Sequence, residues 1–322
     1  MTLAAGRTPR RYDPAMATPA RRRPQNVAGD IYVDDTCIDC DTCRWMAPAT
    51  FDRAGDQSRV WQQPQSPEEL QRALMAVVAC PTASIGAAER HDMKPVLAAF
   101  PDRLADLRGR PLAEGADPGP EGVHHCGFHH EDSFGATSYL VVRPSGNVLV
   151  DSPRFAAPLV RRVEELGGVR TLFLTHQDDV ADQDKWARHF GCERVLHAAD
   201  VHAATRDVER RIEGQEPVRL DDELVVIPTP GHTAGSACLL LRDEFLFTGD
   251  HLAWSARRNR IIGFRDACWH DWSQVVESTR KLLSYRFRWL LPGHGRRCRF
   301  EREEMAQQMR RCLDGMELTP SS

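Results

Sequence analysis

The sequence of 322 residues has no apolar run close to the ~20 residues that a membrane-spanning helix needs, and no apolar segment of a secretory signal near its start. It also lacks an excess of basic residues, with 42 Lys and Arg against 46 Asp and Glu, which disfavours a general nucleic-acid binder. No internal repeat of the solenoid or propeller kind is visible. These absences predict a globular, cytoplasmic protein that binds neither nucleic acid nor membrane.

Ligand-type residues are abundant by contrast, with ten Cys and thirteen His. The cysteines are unevenly distributed, which argues against a secreted disulfide framework and favours metal or redox chemistry in a reducing compartment. Changes of composition along the chain predict four parts. They are a disordered basic tail at 1–30, a cysteine-rich domain at 31–88, a linker at 89–121 and a larger domain at 122–313.

Hydrophobic patterns predict a strand at 31–35 and a helix that begins after Ser66 and ends at Cys80, with Ser66 as its N-cap. Beyond residue 135, strands and helices alternate, which predicts helices that cover the faces of sheets. The strands predicted there are 138–142, 148–150, 171–174, 224–227, 237–241, 244–247 and 289–291, and the helices are 156–166, 184–190, 271–285 and 300–313.

Four cysteines stand in a C-x2-C-x2-C run followed by a distant Cys-Pro: Cys37, Cys40, Cys43 and Cys80. Small ferredoxins supply four thiolates to an iron–sulfur cluster in this way. In two-cluster ferredoxins the run continues to a further Cys-Pro, where this chain has Ala47 before the proline. Residues 31–88 therefore resemble a ferredoxin with one [4Fe–4S] cluster. A structural zinc site and plain buried thiols are the alternatives.

Four motifs in the second half each place a metal ligand directly after an apolar strand. They are T-H-Q-D-D at His176, P-G-H-T-A-G-S at His232, G-D-H at Asp250 and G-H-G at His294. Strand ends present side chains convergently at one sheet edge, and the neighbouring glycines let the backbone turn close to a metal. We therefore expect these side chains to meet at one site.

The order of the motifs resembles the metallo-β-lactamase-fold superfamily, which includes glyoxalase II, persulfide dioxygenases and flavodiiron proteins. The resemblance covers residues 122–313 and implies a four-layer αββα sandwich. With the N-terminal ferredoxin-like domain, the whole chain is then of the α+β class. The resemblance also implies metal ligation by four residues, namely His176, His232, Asp250 and His294.

The first motif departs from the superfamily's T-H-x-H-x-D-H. Asp178 stands in place of the second His, and Val180 and Ala181 stand in place of the Asp-His pair. An insertion of two residues would align Asp182 with the Asp of that pair. Asp178 and Asp182 are therefore the candidate catalytic carboxylates, and both are candidate metal ligands.

Two imidazoles and a carboxylate suit Zn²⁺, which lowers the pKa of water to about 7, and they also suit Fe²⁺, as in non-haem iron oxygenases. The resemblance implies one or two such ions, and the altered first motif favours one. We expect it on His176, His232 and Asp250, with Asp178 close enough to ligate it. Asp182 and His294 would be weaker ligands or would hold the ligands in place.

Three functions are compatible with these motifs. The first is a metal-dependent hydrolase that acts on a small ester or thioester substrate. The second is an iron-dependent oxidoreductase, similar to persulfide dioxygenases or flavodiiron proteins, which takes electrons from the fused cluster. A redox partner protein would supply electrons to the cluster. The third is a non-catalytic iron–sulfur binding module. The hydrolase is the favoured function, because hydrolysis is the commonest chemistry of the fold. The fused cluster is the argument for the second function.

Two further segments are less specific. Residues 124–130 contain four His and one Cys, which could be additional ligands, substrate contacts or a polar loop. Trp254, Arg257, Arg258 and Arg260 follow Asp250 and could bind an anionic substrate or form a solvated loop.

Overall fold

The computed structural model describes residues 17–111 and 119–317. Residues 17–30 pack against the cysteine-rich domain, and the buried Arg23 side chain donates hydrogen bonds to the backbone carbonyls of Ala54, at 3.0 Å, and Ser58. The disordered tail predicted for 1–30 is therefore wrong from residue 17 onward, because the arginine finds backbone acceptors in the domain. Residues 1–16 lie outside the described residues.

The cysteine-rich domain consists of two small antiparallel sheets and two helices. The predicted helix is confirmed, since Ser66 Oγ accepts a hydrogen bond from the backbone N–H of Glu69 at 3.2 Å. Strand β1 pairs with β4, and β2 pairs with β3. The elements are β1 (Ile31–Val33), α1 (Thr42–Met46), β2 (Phe51–Ala54), β3 (Gln57–Val60), α2 (Pro67–Ala79) and β4 (Ile85–Ala87).

The segment predicted as a linker carries structure of its own. It contains helix α3 (Lys94–Ala98) and strand β5 (Asp102–Ala105). Strand β5 pairs antiparallel with β6 (Gly122–His125), and both Ala105 and Leu107 are buried in a hydrophobic core. The linker prediction is therefore wrong for these residues, because the edge of a sheet in the second domain is completed by them. Residues 112–118 of the same stretch lie outside the described residues.

The first sheet of the second domain has seven strands in the order β11-β10-β9-β8-β7-β6-β5. Two helices, α4 and α5, follow β8 and β9 in the chain and pack on the outer face of the sheet. The further elements are β7 (Tyr139–Val142), β8 (Val148–Val150), α4 (Ala157–Glu165), β9 (Thr171–Phe173), α5 (Gln183–Phe190), β10 (Glu193–His197) and β11 (Arg210–Ile212).

The second sheet has six strands in the order β12-β13-β14-β15-β18-β19, and a separate hairpin of β16 and β17 lies beside it. Its elements are β12 (Val218–Arg219), β13 (Leu224–Pro228), β14 (Ala237–Leu241), β15 (Phe245–Gly249), β16 (Ala253–Ser255), β17 (Arg260–Ile262), α6 (Trp272–Leu282), β18 (Trp289–Pro292), β19 (Cys298–Arg299) and α7 (Arg302–Glu317).

Alternation along the strands produces four layers. In β15, Phe245 and Phe247 point into the core between the two sheets, whereas Leu246 packs under α6 and α7 on the outer face. In β7, Tyr139 and Val141 face that inner core in the same way. The predicted αββα sandwich is confirmed. Among the described residues, the helices are all too short or too polar to cross a membrane.

Candidate metal centre beside a cysteine cluster

The four cysteines of the run and the distant Cys-Pro surround one small cavity, whose walls include the side chains of Val33, Ile38 and Ile85. Cys37 and Cys40 come from the loop after β1, Cys43 from α1, and Cys80 from the C-terminal end of α2. Sequence spacing and tertiary structure therefore agree on which thiols meet.

Polar groups approach each of the four sulfurs. The backbone N–H groups of Ser58 and Ser84 donate to Cys37 Sγ at 3.4 Å and to Cys80 Sγ at 3.3 Å. Hydroxyl oxygens lie 3.4 Å from Cys40 Sγ and 3.2 Å from Cys43 Sγ. The two backbone N–H donors stabilise negative charge on sulfur, and hydrogen bonds of this kind tune iron–sulfur clusters.

Burial, together with the other thiols, raises the pKa of Cys40 to about 11. Burial also raises the pKa of Cys43 and of Cys80. Cys43 and Cys80 are buried and Cys37 and Cys40 are half-buried around the same cavity. Four thiolates there need positive charge between them, which the iron of a cluster supplies. The donor set therefore fits a [4Fe–4S] cluster.

The second set of ligands lies where strands of the two sheets end. His176 follows β9 of the first sheet, and three residues follow β13, β15 and β18 of the second sheet: His232, Asp250 and His294. Strand β15 runs parallel to β18 and antiparallel to β14, so β13, β15 and β18 end at the same edge. The fold thus brings the four predicted motifs together.

Two overlapping groups of ligand atoms result, and in each group all atoms lie within 4.8 Å of one another. One group is His176, Asp178 and His232, and the other is His176, Asp179 and Asp250. The Nε2 atom of His232 lies 3.3 Å from Asp178 Oδ2 and 3.8 Å from Asp250 Oδ2. Ligands that each lie ~2 Å from one ion have mutual separations of this size.

Asp179 is a component of the site that the sequence analysis missed. Its carboxylate is buried, and neither oxygen has a hydrogen-bond partner among the described residues. Burial and the nearby charge of Asp250 raise its pKa well above the ordinary value. A buried, unpartnered carboxylate is costly unless a cation compensates it. The sequence signal for Asp179 was the pair of adjacent aspartates in H-Q-D-D. The spacing of the superfamily motif instead placed the next ligands at residues 180–182.

Asp182, in contrast, lies outside both groups in the described part of the chain. It precedes α5, and its carboxylate accepts a hydrogen bond from the backbone N–H of Phe155 at 2.9 Å and pairs with Lys185. Although burial alone would raise its pKa, these partners lower it. The expectation that Asp182 is a metal ligand and a catalytic carboxylate is therefore corrected, because its oxygens are already occupied by structural partners.

The imidazoles of His176 and His232 each have a ring nitrogen available for a metal ion. The Nε2 atoms of His176 and His232 have no hydrogen-bond partner among the described residues. Burial lowers the pKa of His176, which favours the neutral, ligating form. Thr175 Oγ1 lies 3.0 Å from His176 Nδ1 and also donates to the buried carboxylate of Asp151 at 3.0 Å. This chain of contacts orients His176 Nε2 toward the site.

His294 contacts Asp250 directly. Its Nδ1 atom lies 2.8 Å from both carboxylate oxygens of Asp250, and its Nε2 atom lies 3.3 Å from the carbonyl oxygen of Phe134. Burial alone would lower the pKa of His294, but the charge of Asp250 and this hydrogen bond raise it to about 10. The weaker role expected for His294 stays a prediction.

The histidine-rich segment 124–130 faces the boundary between the domains. His125 and His129 are buried with their Nε2 atoms 2.9 Å apart, and the ring of Trp45 from α1 packs against both. His124 Nε2 lies 2.9 Å from the carbonyl oxygen of Pro120. These side chains lie outside both ligand groups found in the described residues.

A cleft of about 1280 Å³ opens onto the site. Asp178, Asp179, His232, Asp250 and His294 lie in its wall. Side chains of the cysteine-rich domain also line it, among them Cys40, Arg44 and Arg53, and so do the exposed rings of Phe134 and Trp269. Both domains therefore contribute to one cleft.

Residues 33–87 match the family model described as the 4Fe-4S single cluster domain of Ferredoxin I. A stretch of 149 residues is 32% identical to a hydroxyacylglutathione hydrolase of Rhodospirillum rubrum, covering 45% of this chain and 56% of that protein. Residues 33–87 therefore match a single-cluster ferredoxin domain, and the second domain has the αββα sandwich that the resemblance to metallo-β-lactamase-fold proteins implies. The expected resemblance, the fold class and the [4Fe–4S] cofactor are thereby confirmed.

Another relative is a beta-lactamase-like protein 2 homolog of Drosophila melanogaster, 26% identical over 187 residues, or 50% of this chain and 59% of that protein. The chain thus spans less than two thirds of the length of either curated relative. Among solved structures, ETHE1 from Myxococcus xanthus is similar with a TM-score of 0.44 and 20% identity over 62% of this chain and 92% of that one.

Replacing Cys43 tests the cluster assignment. The Cys43→Ala variant is expected to lose the brown visible absorbance and the iron, because one corner of the cluster loses its thiolate. Cys192→Ala is the matched control, since Cys192 is also buried but lies in the second domain. Iron analysis and visible absorbance give the result, and a full complement of four irons in Cys43→Ala would contradict the assignment.

A pair of aspartate variants tests the corrected ligand set. Asp179→Asn is expected to lower the metal content beyond the cluster, because a carboxylate in the site becomes neutral, whereas Asp182→Asn is expected to keep it. Metal analysis of both variants, with the cluster iron subtracted, provides the comparison. Metal loss in Asp182→Asn with full retention in Asp179→Asn would restore the alignment suggested by the superfamily motif.

Proposed function

We propose that this protein is an enzyme, a metal-dependent hydrolase whose substrate is a small molecule with an ester or thioester bond. The observation that carries the proposal is that unpartnered ligand atoms belong to two ligand groups that share His176 and lie beside the cleft. The Nε2 atoms of His176 and His232 belong to one group, and His176 shares the other group with the carboxylate of Asp179. Asp178 and Asp250 complete the donor set.

This donor set fits zinc or ferrous iron, which take imidazole nitrogen and carboxylate oxygen as ligands. An ion held there would lower the pKa of water to about 7 and polarise the carbonyl group of a substrate. The proposed ligands are His176, His232, Asp179 and Asp250. His294 would hold Asp250 in place through the contacts of 2.8 Å to its carboxylate.

Asp178 is the proposed partner of the attacking water. Its side chain is 42% exposed, whereas that of Asp179 is only 2% exposed, so Asp178 is the acid that faces the cleft. The imidazole of His232, whose Nε2 atom lies 3.3 Å from Asp178 Oδ2, is the main cause that lowers the pKa of Asp178. It is therefore ionised at neutral pH and can accept a hydrogen bond from water.

The walls of the cleft suit a small molecule that is anionic and partly apolar. The rings of Phe134 and Trp269 are 55% and 67% exposed, which is unusual for large apolar side chains. Arg257 and Arg258 are exposed at the tip of the hairpin formed by β16 and β17 and also line the cleft. The name of the relative from Rhodospirillum rubrum, a hydroxyacylglutathione hydrolase, supports hydrolysis as the reaction.

Loss of His232 tests the hydrolase. His232→Ala is expected to lower kcat/KM on the best substrate of a panel of esters and thioesters. The loss should exceed the ~10–100-fold that follows when a residue hydrogen-bonded to a metal ligand is removed. The reason is that the variant removes the Nε2 atom of His232, a ligand atom with no hydrogen-bond partner among the described residues. His202→Ala is the control, because His202 is an exposed histidine of the same domain. Unchanged hydrolysis in His232→Ala would overturn the proposal.

An iron-dependent oxidoreductase is the second candidate, and one observation favours it. Cys40 of the cluster loop lines the same cleft as Asp250 and His294, so the cluster lies beside the metal centre. A hydrolase has no need of electrons at this position. A redox partner protein would then supply them to the cluster.

Metal analysis of protein purified without oxygen distinguishes the two functions. The hydrolase predicts zinc in addition to the four irons of the cluster. Iron in excess of four per chain, with no zinc, would favour the oxidoreductase. Cys43→Ala protein provides the reference, because it retains the second domain without the cluster.

A further inference from the structure

One short segment of the second domain touches both the cysteine cluster and the metal centre. It consists of Phe134 and Gly135, which follow a 3-10 turn at Glu131–Ser133. Both have positive φ, 48° for Phe134 and 82° for Gly135, so the chain turns sharply here. The turn directs the backbone between the two sites.

On one side, the segment contacts the metal centre. The carbonyl oxygen of Phe134 lies 3.3 Å from Nε2 of His294, and the other nitrogen of His294 contacts Asp250 at 2.8 Å. The ring of Phe134 also packs near the imidazole of His294, with 6.0 Å between ring centroids. His294 therefore links this carbonyl group to Asp250.

On the other side, the segment contacts a cluster ligand. A Cβ atom at Gly135 would lie 2.9 Å from Cys40 Cβ, closer than real Cβ contacts come, and 3.1 Å from Cys40 Sγ, tighter than most of them. The backbone of Gly135 is therefore packed directly against Cys40. Phe134 and Gly135 share a peptide bond. Gly135, which packs against Cys40, is therefore joined directly to Phe134, whose carbonyl oxygen contacts His294.

A second set of contacts fixes the geometry of this segment. Nδ1 of His129 lies 2.7 Å from the carbonyl oxygen of Gly135 and 3.1 Å from Thr42 Oγ1, which in turn lies 3.4 Å from Cys40 Sγ. Arg296, two residues beyond His294, pairs with Asp41 at 3.4 Å. The cluster loop and the metal centre are thus held together from two directions.

We propose that the cluster and the metal centre are coupled through the segment Phe134–Gly135, so that occupancy of the metal centre changes the reduction potential of the cluster. A cation beside Asp250, whose side chain is only 12% exposed, adds positive charge close to the cluster, and charges enclosed by protein are screened less than exposed ones. Positive charge favours the more negative, reduced state of a cluster. The potential therefore rises when the metal centre is filled, and by reciprocity the reduced protein binds the metal more tightly.

The inference rests on the metal centre proposed above but not on which reaction occurs there. An effect of tenfold on the reduction equilibrium corresponds to ~59 mV for a one-electron couple. Coupling of this kind would make metal occupancy and cluster reduction depend on each other in the full-length protein.

The experiment is a redox titration of the full-length protein, prepared without oxygen. One electron per cluster from dithionite converts [4Fe–4S]²⁺ to [4Fe–4S]⁺, which is followed by its EPR signal. The potential is measured after chelator treatment and after reloading with Zn²⁺, with iron and zinc analysis of each sample. We expect the zinc-loaded sample to have the higher reduction potential, by ~59 mV, which corresponds to about a tenfold change in the equilibrium constant for reduction.

Equal potentials with zinc bound would overturn the coupling and leave the proposed hydrolase intact. Failure of the protein to bind zinc would overturn the metal centre, and the coupling with it. The two failures are distinguished by the metal analysis.

Two variants test the role of the segment. Gly135→Ala is expected to displace Cys40 and to alter the EPR signal of the reduced cluster, whereas Gly55→Ala is the matched control. Gly55 has φ of 69°, similar to the 82° of Gly135, but a Cβ there meets nothing within 4 Å. His294→Ala leaves the cluster loop untouched and is expected to reduce the zinc-dependent shift. A shift unchanged in both Gly135→Ala and His294→Ala would overturn the assignment to this segment.

Discussion

Buried negative charge at the junction of the two sheets is the constraint on which the second domain depends. Asp179 and Asp250 place two carboxylates in one ligand group whose atoms lie within 4.8 Å of each other. Two unit charges at that separation repel by roughly 3–4 kcal/mol at an effective dielectric constant of about 20. Within the described residues Asp179 has no hydrogen-bond donor, and the Nδ1 atom of His294 contacts Asp250. A cation bound between the two carboxylates would supply the remaining compensation.

The same constraint operates in the ferredoxin domain with sulfur in place of oxygen. Burial raises the pKa of Cys40, Cys43 and Cys80, so the thiolates are disfavoured until iron lies between them. Backbone N–H groups of Ser58 and Ser84 provide part of the compensation. In both sites the groups of the protein balance only part of the negative charge of the ligands, and a bound positively charged group would balance the rest.

The sandwich determines where these charges meet. Alternating apolar side chains such as Phe245 and Phe247 fill the space between the sheets, and the ligands follow at the strand ends where that core stops. Behind His176, the buried carboxylate of Asp151 accepts hydrogen bonds from Thr175, and in the next loop Asp200 accepts hydrogen bonds from the backbone N–H of Gln177 and Gly235. The ligand loops are thus fixed by polar groups that face away from the cleft.

The sequence by itself determined the elements that depend on local pattern. The spacing of Cys37, Cys40 and Cys43 predicts one cluster, because three thiolates on one short loop can surround only one cubane. The positions of His176 and His232 after apolar strands predict ligands at strand ends. Because β9 and β13 belong to different sheets, the packing of the two sheets is what brings the ligands together. The helix after Ser66 follows from its cap and its periodicity.

Only the tertiary structure decided the features that depend on distant contacts. Asp179 and Asp182 are chemically alike in the sequence, and they differ because one carboxylate is enclosed with Asp250 while the other is occupied by Phe155 and Lys185. Strand β5 looked like linker because residues 106–121 separate it from its partner β6, so no local pattern links the two strands. The proximity of Gly135 to Cys40 has no local signal at all, because it arises from the packing of one domain against the other.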